Sequence, residues 1–168
     1  MRSSLERAMV LLLKNLLFTV VAPGTVAVLV PWVIAGARPQ VSGWAFAISV
    51  ALFGFGGAIY AWCVWDFASF GRGTPAPIDA PRHLVIRGLY RFVRNPMYLG
   101  VLTLILAWTL LLQAQVLLVY AALVGTLFHL FILFYEEPHL EREFGDEYRE
   151  YKATVSRWVP WPPSRPAA

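Results

Sequence analysis

Charge is what this 168-residue chain has least of. Asp, Glu, Lys and Arg make up 14% of it, against 58% hydrophobic and 15% aromatic residues; a soluble domain carries about a quarter charged. That balance excludes an ordinary soluble domain and indicates a polytopic membrane protein of one domain, residues 1–168. The net charge of +4 then reads as membrane topology and attraction to lipid, with no nucleic acid as partner. A single cysteine, Cys63, excludes an intrachain disulfide, and its apolar surroundings make it a packed thiol. No pair among His83, His129 and His139 has the spacing of a zinc or di-iron helix motif, so no metal site is expected. Walker-type loops, paired cysteines, a Ser-His-Asp set in motif context and internal repeats are also missing, which leaves ATP use, thiol redox chemistry and hydrolysis without support. Arg2, Arg7 and Lys14 precede an apolar run, but no small-x-small cleavage site with a polar sequel follows, so a retained first helix is expected.

What is present is four apolar segments. Leu11–Ala35 is interrupted by Pro23-Gly24, where a kink is expected. Trp44–Trp65 carries Gly54, Gly57, Ala58 and Ala61 near one face, a pattern for close helix packing. Pro96–Leu112 is short, and the uncharged turn Gln113-Ala114-Gln115 leads to Val116–Tyr135. Gly36–Ser42 is a short loop. Asp66–Asn95 is a long polar connection, rich in Gly and Pro, expected to be ordered and to cover a site. Lys and Arg cluster in this connection and at both ends, which places both termini and the connection on the cytoplasmic face of an integral, multi-pass membrane protein. Beyond Tyr135, Leu140, Phe144, Tyr148, Tyr151 and Val155 share a helical face, giving an amphipathic segment that lies at the interface or folds back on the hairpin. Gly145 is expected to divide it and the prolines from Pro160 to end it. The expected fold is all-α, with about four transmembrane helices plus this C-terminal amphipathic helical segment.

The stretch Arg87–Gly100 is the centre of the polar chemistry. Asn95 suits an N-cap and Pro96 the first helical position. Arg87, Arg91 and Arg94 are expected to converge on that helix start, whose free N–H groups already favour a carboxylate or phosphate. Glu136 and Glu137 stand where the fourth span meets the cytoplasm, a depth at which acids are costly unless paired. Either they end the helix and pair with Arg94 or Arg91, or they line a pocket with those arginines. His129, two turns before Glu136, is either a satisfied interior histidine or a ligand contact.

Leu84-Val85, Gly88-x-Tyr90, Arg94-x-Pro96-x-Tyr98-x-Gly100, the Glu136-Glu137 pair, Gly145-x-x-Tyr148-x-x-Tyr151 and Val155-x-Arg157 occur in this order on either side of a hairpin. Together they resemble the isoprenylcysteine carboxyl methyltransferase family and its bacterial relatives, within a broader group that includes phospholipid N-methyltransferases. The family often has histidine where this chain has Asn95, and asparagine cannot titrate near neutral pH. The resemblance implies S-adenosyl-L-methionine as methyl donor, bound by residues about 72–160 at the cytoplasmic membrane surface. It implies donor contacts from His83, Leu84, Val85, Gly88, Tyr90, Arg94, Asn95, Pro96, Tyr98, Gly100, Glu136, Glu137 and Tyr148. Arg94 and the helix start suit the donor's carboxylate, either glutamate its ammonium or ribose, and Leu84, Val85 and Tyr98 its adenine. A carboxylate acceptor, as in isoprenylcysteine O-methylation, needs a cation to orient it, for which Arg157 is the candidate; an amine acceptor needs a base, for which Glu137 is the candidate. The implied partners are membrane lipids and a lipophilic small-molecule or prenylated acceptor. Phospholipid or amine N-methylation, an NADPH-dependent reductase of the sterol type and a non-catalytic lipid-binding protein stay open as alternatives.

Overall fold

The computed structural model describes residues 2–36, 43–71 and 83–162, and every regular element among them is helical. The expectations for residues 37–42, for the 72–82 part of the long connection and for the chain beyond Pro162 lie outside the described residues. Three helices are long and apolar enough to cross a membrane: Met9–Ala35, Trp44–Gly71 and Val116–Phe144. The fourth expected span, Pro96–Leu112, is a shorter apolar helix of 17 residues. At 1.5 Å per residue it reaches about 25 Å, short of a hydrocarbon core of about 30 Å.

Helix α1 (Arg2–Val21) leads through a wide π turn, Thr25–Leu29, into α2 (Val30–Ala35). Pro23 has no N–H to offer the carbonyl of Thr19, so the regular ladder is disturbed where the kink was expected. α3 (Trp44–Asp66) continues as a π turn to Gly71. The connection is therefore shorter than its composition implies, and Asp66 belongs to the helix, buried with 1% of its surface exposed.

α3 packs most closely on α4 (Pro96–Leu112), and the contact is made by two glycines. A Cβ on Gly56 would stand 2.9 Å from the Gly100 carbonyl oxygen, and a Cβ on Gly100 would stand 3.0 Å from that of Gly56. Close packing through small residues is thus present, but Gly54 and Gly57 meet nothing within 4 Å. The buried face of α3 runs through Ala45, Ser49, Gly56, Cys63 and Asp66, and a residue one or two positions away points elsewhere. Cys63 is fully buried, as a packed thiol should be, between Val85, Tyr90 and Met97.

After the turn at Gln113, α5 (Val116–Phe131) continues through a π turn, Ile132–Glu136, into α6 (Glu137–Phe144). Gly145, at φ +55°, separates α6 from α7 (Asp146–Thr154). The amphipathic face closes inward: Tyr148, Tyr151 and Val155 are buried with Leu84, and Leu140, Phe144 and Ile86 pack around them. The C-terminal helices therefore fold back onto the end of the long connection.

The Gly56–Gly100 contact makes a direct prediction. Gly56→Ala should lower stability by about 1–3 kcal/mol, because the new methyl meets backbone rather than a movable side chain. Gly54→Ala should be neutral or slightly stabilising. Thermal unfolding of both variants in one detergent checks the contrast.

Candidate functional site

The connection re-enters the described structure at His83 and forms a short 3₁₀ turn, Gly88–Arg91, before α4. Gly88 is required there for two reasons. Its φ is +56°, and a Cβ would fall 2.3 Å from Asp66 Oδ2 and 2.7 Å from Trp62 Nε1. Beside it, Arg87 Nε lies 3.1 Å from Asp66 Oδ1 and its guanidinium sits over the Phe70 ring, 5.7 Å from the centroid. Arg87 thus anchors the turn to α3. Arg91 is exposed and lines a separate surface hollow with Glu147 and Glu150. The expected convergence of three arginines is corrected to one, Arg94, because the 3₁₀ turn sends the three side chains to different faces.

The C-terminal tail holds the loop down. The Arg94 backbone N–H donates to Ser156 O (2.9 Å) and that of Trp161 to Phe92 O (3.0 Å). Tyr151 Oη donates to Tyr90 O (2.7 Å), and Trp158 Nε1 to His129 Nδ1 (3.1 Å). His129 is accordingly a satisfied interior histidine. Asn95 occupies the N-cap position but does not cap: its Nδ2 donates to the Arg157 carbonyl at 3.1 Å.

Beneath the tail lies a buried ion-pair cluster centred on Glu137, whose side chain is 5% exposed. Arg157 grips it with both prongs, Nε to Oε1 at 2.7 Å and Nη2 to Oε2 at 3.0 Å. Arg94 Nη1 is 3.0 Å from Oε1, and Lys152 Nζ is 3.6 Å from Oε2. The hydrogen bond to Glu137 holds the Arg157 guanidinium above its ordinary pKa. Burial, with Glu137 close by, pushes the Tyr148 hydroxyl up to about 12, and burial raises that of Tyr90 well above its usual range. Both tyrosines therefore stay protonated at physiological pH.

The two adjacent glutamates part ways. Glu136 accepts a 2.8 Å hydrogen bond from Tyr98 Oη and lines a cavity with about 660 Å³ of empty space, its mouth included. Tyr90, Arg94, Asn95 and Tyr98 line the same cavity, and so do Phe18, Ala22, Pro23 and Val26 from the disturbed first helix, with Phe67, Met97, Val101 and Phe128. Its polar groups come from the loop, the start of α4 and Glu136; the other walls are apolar. Two nitrogens of Arg94, Nε and Nη1, are buried without a hydrogen bond. Nη1 is in ion-pair range of Glu137 but off the hydrogen-bond axis.

Of the residues singled out in the sequence, Tyr90, Arg94, Asn95, Tyr98 and Glu136 come together around the cavity. Leu84, Val85, Pro96, Gly100 and Tyr148 are buried, Leu84 and Tyr148 in the core under the tail and Val85 in the core around Cys63, and Gly88 sits against Asp66 and Trp62. His83 is exposed beside Phe70, ring centroids 6.3 Å apart. Glu137 and Arg157 are bound to each other and are not among the cavity-lining residues. Sequence reasoning did not find the contribution of the first helix or the buried Asp66. The lone acid ending an apolar helix was the available signal for the latter.

Glu137→Ala should cost about 3–5 kcal/mol, since it strands buried cations. Arg157→Ala should cost less, because Arg157 is 26% exposed. Arg157→Lys should not restore the loss fully, as it lacks the bidentate fork. Melting temperature, together with proteolytic cleavage within Val155–Trp161, reads both effects.

Comparison with known proteins places this geometry. The family model described as phospholipid methyltransferase matches residues 44–147. Methanethiol S-methyltransferase 1 of Bradyrhizobium diazoefficiens is 40% identical over 74 residues, 44% of this chain and 25% of that protein. Methanethiol S-methyltransferase of Mycobacterium tuberculosis is 36% identical over 92 residues, 54% of this chain and 35% of that protein. An uncharacterized protein of Haemophilus influenzae is 41% identical over 63 residues, 38% of this chain and its own full length. The chain thus covers only 25% to 35% of the length of the two named methyltransferases. No solved structure matches it. The matched segment begins with α3 and takes in the Gly88 turn, the start of α4 and both glutamates: the chain belongs to the phospholipid methyltransferase family.

Proposed function

We propose that this protein is a membrane-embedded, S-adenosylmethionine-dependent methyltransferase whose acceptor is a lipophilic nucleophile without a carboxylate. The observation that carries the reading is the cavity, with a buried arginine and a glutamate among its polar groups and otherwise apolar walls. Family membership and the names of two relatives support methyl transfer.

The residues fit the donor. Arg94 Nε and Nη1, buried and without hydrogen bonds, suit its carboxylate through charge-assisted contacts. Asn95 Nδ2 is engaged, which leaves Oδ1 to accept from its amino group. Glu136 supplies negative charge near its sulfonium, and the phenol rings of Tyr90 and Tyr98 give flat surfaces. When bound, the donor supplies an electrophilic methyl group. The protein's own contribution is to fix the two reactants in line and keep water out.

The acceptor differs from the carboxylate that the resemblance to isoprenylcysteine enzymes implies. Arg157, the cation meant to orient it, is engaged by Glu137, and Arg94, the cation that lines the cavity, is assigned to the donor's carboxylate, which leaves an acceptor carboxylate no cation there. The named relatives are methanethiol S-methyltransferases, which supports a small thiol; the family's description supports a lipid amine as the second reading. The charge distribution supports an integral protein with both termini and the polar end of the cavity on the cytoplasmic face, α4 completing four spans by local thinning of the bilayer.

Titration of S-adenosylmethionine onto the protein in nanodiscs should give saturable binding, with none for NADPH. Arg94→Ala should weaken binding roughly 10- to 100-fold, the worth of a hydrogen bond to a charged group. Failure of folded wild-type protein to bind the donor would overturn the reading.

A further inference from the structure

We infer that Glu136, positioned by the Tyr98 hydroxyl, is the proton acceptor of the reaction, and that the acceptor enters as a neutral thiol. The inference rests on the methyltransferase reading above and adds the base and the form of the substrate.

Three observations carry it. First, the adjacent acids are not equivalent. Glu137 is taken up by Arg94, Arg157 and Lys152, so its lone pairs are committed and its charge is balanced. Glu136 faces the cavity and takes its hydrogen bond from a neutral hydroxyl. That bond goes to Oε2 and fixes the carboxylate's orientation. Second, the titratable and charged groups around Glu136 are few. Tyr98 faces it from α4, Tyr90 and Arg94 from the loop, Tyr148 and Tyr151 are near it on α7, and Glu137 is its neighbour in the chain. Burial keeps Tyr90, Tyr148 and Tyr151 protonated, and Glu137 is held by its cations, so Glu136 is the group there able to receive a proton. Third, Phe18, Ala22, Val26, Val101 and Phe128 make the cavity's other walls apolar.

Those walls select among acceptors. With Arg94 assigned to the donor's carboxylate, an acceptor carboxylate or phosphate would find no further cation among the cavity-lining residues and would bring an anion beside Glu136. An unionised alkanethiol passes as a small hydrophobe, but it is a weak nucleophile until it loses its proton. A base inside the cavity resolves that conflict. The acceptor's S–H proton passes to the Glu136 carboxylate as its sulfur forms a new bond to the donor's methyl carbon. The sulfonium C–S bond breaks, and its electron pair stays on the departing sulfur. The positive sulfonium and the negative carboxylate are both neutral afterwards, so the step separates no charge in a low-dielectric site.

The test compares two acceptors that differ in acidity, an alkanethiol such as propanethiol and benzenethiol, whose far more acidic S–H, entering in its neutral fraction, needs less help from a base. With wild-type protein in nanodiscs both should be methylated. Glu136→Gln should lower turnover of propanethiol by roughly 10²- to 10⁴-fold, the usual worth of a general base. It should lower that of benzenethiol less than tenfold when both are measured at saturating donor, so that any loss of donor affinity cancels from the comparison. Equal losses on both acceptors at saturating donor would overturn the assignment and leave Glu136 only its place beside the donor's sulfonium. If Glu136→Gln does not fold, Tyr98→Phe takes its place: propanethiol turnover should fall several-fold more than that of benzenethiol, and parallel effects would overturn the assignment. Wild-type protein that binds the donor and methylates carboxylates but no thiol would also overturn it. Absence of donor binding by the folded wild type strikes instead at the methyltransferase reading itself.

Discussion

A carboxylate buried at the end of a membrane helix governs this structure. Glu137 cannot remain ionised where it sits without compensation, because the desolvation of a single charge costs several kcal/mol. Arg157, Arg94 and Lys152 provide that compensation, and each comes from a different part of the chain: the tail, the loop before α4, and α7. One electrostatic requirement thereby fixes three elements. The tail's backbone hydrogen bonds to Phe92 and Arg94 and the aromatic face of α7 on Leu84 follow from the same closure. The loop is held from above by the tail and from below by Asp66 and Trp62 under Gly88. A polar loop at a membrane surface gains in this way the rigidity that a binding site needs.

The same closure separates two roles that the sequence presents as one motif. Successive residues on a helix point about 100° apart. With Glu137 turned into the cation cluster, Glu136 is turned toward α4 and the cavity. The pair is one carboxylate held by cations and a second that lines the cavity.

Much of the helical frame was legible in the sequence because hydrophobic runs and proline placement are local signals. Pro96 opened α4 at its expected position, Gly145 divided the C-terminal segment, and the Leu140–Val155 face was buried as its spacing required. The failures share a cause. Gly54 and Gly57 were chosen for composition, whereas the rotation of α3 about its axis selects Gly56, and rotation is decided by the partner helix. Arg87, Arg91 and Arg94 looked equivalent until the 3₁₀ turn distributed them. Asn95 has the chemistry of a cap, yet its amide reaches Arg157, 62 positions away in the chain. The cavity's apolar walls were illegible for a different reason: Phe18 and Val26 read like any lipid-facing residues in a chain where such residues abound.

The charge balance of the cluster extends the argument from fold to ligand. Arg94, Arg157 and Lys152 are three cations; Glu137 and Glu141, the latter 3.5 Å from Lys152, are two carboxylates. Arg149 also reaches Glu141, at 4.0 Å, but is itself held by Asp146 at the exposed surface. Glu136, which lines the cavity with Arg94, is a third carboxylate, so the charges balance; on the Arg94 side two buried nitrogens nonetheless make no hydrogen bond. Buried donors without acceptors cost stability; a ligand carboxylate laid against Arg94 would satisfy them. In the reading proposed above, a donor with a carboxylate at one end and a sulfonium at the other would meet Arg94 with the first and Glu136 with the second. Binding should therefore tighten the loop, the tail and α4 together.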